Sequence, residues 1–97
     1  MLKCYDMETI AFGASVAALT PAKYTNKFCE EVLISVETGS LRYTLNGTTA
    51  PAEAGKVGHV AAIGSSFRLT GSNDIKNFKF TQSAAAGTIN VSYFNNA

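Results

Sequence analysis

From residue 29 to residue 94, apolar and polar positions alternate in short runs separated by turn-forming pairs. In the run Glu30 to Glu37, Val32, Ile34 and Val36 fall on one side. Glu31, Ser35 and Glu37 fall on the other, with Leu33 the exception. A period of two with one apolar side marks a strand packed on one face. Thr38-Gly39 then signals a turn. The run Leu41 to Leu45 repeats the pattern, with Leu41, Tyr43 and Leu45 inward and Arg42 and Thr44 outward, and Asn46-Gly47 ends it as a tight hairpin or the start of a loop. Thr48 to Gly55, with Pro51 among alanines, predicts a loop crossing the edge of the domain. Short strands are predicted over Val57 to Ala62 and Ser66 to Leu69, the latter with Phe67 and Leu69 inward, followed by a turn over Thr70 to Asp74. Ile75 to Gln82 reads as a strand with Phe78 and Phe80 inward; Ile75 is out of phase with them, which predicts a bulge or a strand beginning after it. A small-residue turn over Ser83 to Gly87 leads to the last strand, Thr88 to Phe94, with Ile89, Val91 and Tyr93 inward.

The first 28 residues lack this regularity. Thr9 to Phe12 and Val16 to Leu19 are short strand candidates, and Leu19-Thr20-Pro21 reads as a strand end, since proline cannot donate to a ladder. The segment predicts an N-terminal arm over residues 1–28 preceding a β core over 29–97, all in one domain. Its aromatics Tyr5, Phe12, Tyr24 and Phe28 are candidate subunit contacts, with Tyr24 and Phe28 alternatively covering one end of the core. Turn signals every 8 to 12 residues predict an all-β fold: a single β-sandwich, Ig-like or jelly-roll-like, of about seven or eight short antiparallel strands.

Composition agrees with one small core. A globular chain of 97 residues buries roughly 65% of its unfolded surface. Charged residues are only 15% of it, against ~25% in an average domain, so much of the surface falls to Ser, Thr, Asn, Gly and Ala. That suits a secreted module, or a surface that packs on copies of itself. The net charge is +1 and the basic residues are scattered. No run of them could track a phosphate backbone, which argues against a nucleic-acid partner. No stretch reaches the ~20 apolar residues of a membrane span. Ala11 to Leu19 is weak as a signal-peptide core because Asp6 and Glu8 precede it.

Candidate chemistry is sparse. Cys4 and Cys29 permit one bridge or two partly buried thiols, and no CxxC spacing points to zinc. His59 is the sole histidine, and nothing in the sequence directs an acid and a nucleophile toward it. Glu31 and Glu37 share the outward side of one strand. Asn73, Asp74 and Asn77 supply too few carboxylates for calcium. The chain therefore predicts no catalytic residue, no cofactor and no metal, and a protein that binds or assembles.

Two resemblances bear on what it binds. Leu41-Arg42-Tyr43-Thr44-Leu45-Asn46-Gly47-Thr48-Thr49-Ala50-Pro51 resembles the hairpin of chitobiase-type C-terminal Ig-like domains, with Asn46 in place of the usual Asp and one extra residue, Ala50, before the proline. A broader likeness runs through Ser15 to Thr20, Val36 to Gly47, Val57-Gly58-His59, Gly64 to Leu69, Ile75 to Phe80 and Ile89 to Phe94. This order of segments resembles small tailed-phage virion proteins of the capsid-decoration or stabilising kind. The resemblance implies a β-sandwich located on the virion, at the capsid surface or the tail. It implies a homo-oligomer, with a trimer favoured, and other virion proteins such as the major capsid protein as partners. It carries over no functional residues. The alternative is a secreted carbohydrate-binding or adhesion module that would present Tyr5, Tyr24, Tyr43 or Phe94 to a glycan.

Overall fold

The computed structural model describes residues 1–96. They form two four-stranded antiparallel sheets. The strands are β1 (Lys3–Phe12), β2 (Ala17–Ala18), β3 (Glu31–Thr38), β4 (Leu41–Thr44), β5 (His59–Ala61), β6 (Ser66–Thr70), β7 (Lys79–Gln82) and β8 (Gly87–Asn95). One sheet has the order β1-β8-β3-β6 and the other β2-β7-β4-β5. Two short helices, α1 (Pro21–Tyr24) and α2 (Ser72–Asn77), lie in the connections.

The expected alternation locates the core. Val32, Ile34, Val36, Ile89, Val91 and Tyr93 from the first sheet, Leu41 and Phe80 from the second, and Phe78 at the end of α2 are each at most 1% exposed. Aromatic rings join the two sides. Phe12 meets Phe80 edge-on at 6.2 Å, and Phe78 stacks on Phe80 at 5.2 Å. Tyr43 stacks on Phe67 at 5.0 Å.

The N-terminal segment carries a longer strand than its short candidates predicted. Residues 3–12 are a ten-residue strand of the first sheet, paired with β8 from Lys3 opposite Asn95 to Phe12 opposite Gly87. The alternation was hidden by a bulge between Cys4 and Asp6 and by acids on the inner side. Glu8 sits opposite Val91 and accepts hydrogen bonds from the Tyr93 hydroxyl and, at 2.8 Å, the Thr20 hydroxyl. Both acceptor bonds compensate a carboxylate held against the core. Burial, and then the bond to Glu8, raises the Tyr93 phenol above its ordinary range. Lys23 pairs with Asp6 at 3.0 Å and accepts at its carbonyl from the Tyr5 hydroxyl at 2.6 Å. Residues 19–24 are thereby tied onto β1.

Of the two readings of Ile75, the later strand start holds: β7 begins at Lys79, and Ile75 is out of phase because it belongs to α2, where it is buried. One further expectation changes. Arg42 and Thr44 do lie on the outer side of β4, yet they are buried. The connection 45–58 folds across them: Thr44 donates to the Thr49 carbonyl at 2.6 Å, and Arg42 donates to the Gly58 carbonyl at 3.1 Å.

The pairing also sorts the connections by end. Lys3 lies opposite Asn95, Glu31 opposite both Phe94 and Thr70, and Tyr43 opposite His59. One end of the molecule therefore carries the long connections 19–30, 45–58 and 71–78. The other end carries the short turns at 13–16, 39–40, 62–65 and 83–86.

Candidate assembly surface

The four sequence-predicted contact residues separate. Phe12 is 4% exposed and belongs to the core, at the short-turn end of β1, which removes it from the surface. Tyr5 and Tyr24 are half-buried and pack against the core; the Tyr5 ring lies 6.3 Å from that of Tyr93. Phe28 alone stands out, at 83% exposure. Its φ of 55° is a left-handed conformation that costs a bulky residue on the order of 1 kcal/mol. The neighbourhood enforces it: the Asn95 side-chain amide donates to the Lys27 carbonyl at 2.9 Å, and the Glu30 amide donates to the Phe94 carbonyl at 2.9 Å. Phe28 borders an open hollow of about 480 Å³ shared with Cys29, Glu30, Thr70, Gly71 and Ser72. A second open hollow, of about 380 Å³, lies at the same long-loop end between Thr44–Asn46 and Val57–His59.

The two outer sheet faces differ. That of the second sheet is closed by the 45–58 connection, clamped by an ionic cluster. Glu53 accepts from Arg42 Nε at 2.7 Å, Lys56 Nζ at 2.9 Å and Ser83 Oγ at 3.1 Å. Among the described residues nothing comparable covers the first sheet. Across it run the rows Met7–Ser92–Leu33–Arg68 and Thr9–Asn90–Ser35–Ser66. The second row is made of small polar side chains, and the first sets Met7, Leu33 and Arg68 around Ser92. Charged groups on this face have partners there: Arg68 forms an ion pair with Glu31 at 3.0 Å and lies over the Phe94 ring, and Glu37 accepts a hydrogen bond from the neutral Asn90 amide at 2.8 Å.

The clamp has a pH consequence. The Arg42 guanidinium, then the Lys56 ammonium and the Ser83 hydroxyl, hold the Glu53 carboxyl down at about 2, against an ordinary 4.5. A carboxyl whose folded-state value is depressed adds stability above its unfolded value and loses it as pH falls toward the folded one. Tm is thus expected to decline between pH 4.5 and 2. Asp6, lowered by Lys23, adds to the decline in acid. Glu53→Gln should flatten the curve in this window; an unchanged profile would show that the clamp carries no such linkage.

Chemically reactive groups stay apart. His59 is exposed, with its ring 5.6 Å from that of Tyr43. Cys4 and Cys29 are both free thiols. Among the described residues, no group of three or more His, Cys, Asp or Glu side chains could hold a metal ion, and no helix is long and apolar enough to cross a membrane. Sequence reasoning named Phe28, which is exposed, but not the open face of the first sheet or the free side of β1, because both depend on which strands become neighbours. No protein-family model, no curated protein and no solved structure matches the chain.

Proposed function

We propose that this chain is a virion structural protein, a capsid decoration or cement module that acts by assembly and not by catalysis. The observation that carries this reading is the strand order. With β1-β8-β3-β6 facing β2-β7-β4-β5, the chain changes sheet at every connection except β4 to β5, and its first and last strands are neighbours. We read this winding as that of a jelly-roll β-sandwich, an architecture used by viral capsid and lectin domains. Architecture alone is an analogy. The second support is physical: a low-charge sheet face left open, and an aromatic ring held in solvent at the cost of backbone strain. In this reading the protein works on the particle as a homo-oligomer. The major capsid protein is its partner, Phe28 is the anchor, and the resemblance brings a trimer as the starting expectation. The glycan reading lacks a platform, since Tyr5, Tyr24 and Tyr43 are half-buried, Tyr93 is buried and Phe94 lies beneath Arg68.

The test is cosedimentation with empty capsids built from the major capsid protein encoded in the same genome. The chain is expected to pellet at a fixed ratio to capsid subunits. Phe28→Ala should weaken binding by roughly 30-fold, the effect of a ~2 kcal/mol interface anchor, while changing the stability of the free chain by under about 0.5 kcal/mol, as for an exposed site. Failure to pellet, or a genome without capsid genes, would overturn the proposal.

A further inference from the structure

Four strands lie at sheet edges, and three of them are short: β2 has two residues, β5 three and β6 five. Brevity is a common protection against pairing with another chain. The fourth, β1, has ten residues. It pairs with β8 on one side only, and among the described residues no other backbone hydrogen bond reaches residues 3–12. A free edge of that length offers a row of unpaired N–H and C=O groups. The usual guards are lysine, proline, a bulge or an inward charge. The bulge at Tyr5 and the Asp6–Lys23 pair guard the first half. From Met7 to Phe12 there is neither lysine nor proline. Glu8 points inward but is matched there by Tyr93 and Thr20. Beneath β1, the neighbouring strand in the other sheet has only two residues, so this flank stays open, with Met7 61% and Val16 47% exposed.

We infer that β1 is a pairing edge for a second copy of this chain: two β1 strands lie antiparallel about a two-fold axis and join two four-stranded sheets into one of eight strands. The inference rests on the assembly reading and names its contact. An antiparallel edge is self-complementary, because each copy offers the same donors and acceptors in reversed order. Facing residues must also lie on the same side of the sheet, which restricts the register. With Thr9 opposite Thr9, Glu8 faces Ile10; with Ile10 opposite Ile10, Glu8 faces Phe12. In both registers the two Glu8 carboxylates stay off each other. The joined outer face would be Thr9, Ala11 and Met7 continuing into Ser92, Asn90 and Thr88, a surface with no like charges to oppose contact. The dimer replaces the trimer as the species in solution.

The experiment is mass measurement by analytical ultracentrifugation, on the full chain and on Thr9→Lys/Ala11→Lys, which sets four lysines along the junction. Val60→Lys, on the opposite edge, is the control. A dimer is expected for the chain and the control. The double variant should dissociate with a dimer constant weakened roughly 100-fold or more, as like charges across an interface produce, while its circular dichroism and Tm show an intact fold. Hydrogen exchange supplies a second readout: successive β1 amides from Met7 to Phe12 should all be protected in the dimer, and only alternate ones in the variant. A dimer that survives the lysines, or a trimer, would overturn the edge while leaving assembly on capsids standing. A monomer would overturn the edge as well, and if it also failed to pellet with capsids, the assembly reading would fall with it.

Discussion

Phe78→Ala is expected to lower the unfolding free energy by about 4 kcal/mol and Tm by roughly 20–30 °C. Phe78 is fully buried. It stacks on Phe80 at 5.2 Å and meets Tyr43 at 5.6 Å and Phe67 at 6.0 Å. Phe67 comes from the first sheet and the other two from the second, so the ring fills the space between them. It also caps α2, directly after Asn77, so its removal loosens the end of a helix that is otherwise anchored by Ile75. A small domain has ~5–15 kcal/mol in all, and this one change could consume much of it. Urea unfolding followed by near-ultraviolet circular dichroism would measure the loss. A cost below about 1 kcal/mol would show that the core closes over the gap or never held the ring.

Gly87→Ala acts through the opposite fault. A Cβ at Gly87 would lie 1.8 Å from the Thr38 carbonyl oxygen, 2.5 Å from its carbon and 2.8 Å from Phe12 Cζ. The Phe12 ring could rotate aside, but the Thr38 backbone cannot move without disturbing the β3–β8 ladder, which already shifts register between Val36 and Thr38. Overpacking of this kind costs about 3 kcal/mol or more, a fall in Tm of roughly 15 °C. Gly39→Ala tests the same corner from the facing turn, where φ is +69° and the new Cβ would meet the Ala86 carbonyl at 2.7 Å. A Gly87→Ala protein melting within a few degrees of the wild type would mean that β3 and β8 are not in this contact.

How much of this was legible in the chain follows from where its signals are local. Val32, Ile34 and Val36, and likewise Ile89, Val91 and Tyr93, sit in strands with one face in the core, so burial imprints a period of two. β1 breaks that rule. Its inner side includes Asp6 and Glu8, made tolerable by Lys23, Tyr93 and Thr20, partners 12 to 85 residues away. Arg42 looked like an ordinary outward charge, and only the return of the 45–58 connection buries it. Ile75 signalled that something changed before Phe78, but a six-residue helix is too short to show its own periodicity. Phe28 could be named from its polar surroundings; its exposure depends on φ, which no residue type announces.

The pairing of β1 with β8 joins the two most distant strands of the chain, Lys3 with Asn95. Long-range pairing slows folding, and β folds of this kind reach the native state in milliseconds to seconds. During synthesis the delay is longer. At ~5–20 residues per second, β1 leaves the ribosome on the order of ten seconds before β8 exists to receive it. Through that interval both of its sides are unpaired, including the stretch from Met7 to Phe12 that carries no lysine or proline. Polysomes hold many such nascent strands close together. Unless something shields them, neighbouring chains could meet by β1 before either has folded, so yield should depend on translation density and chaperone supply more steeply than the stability of the finished fold would suggest.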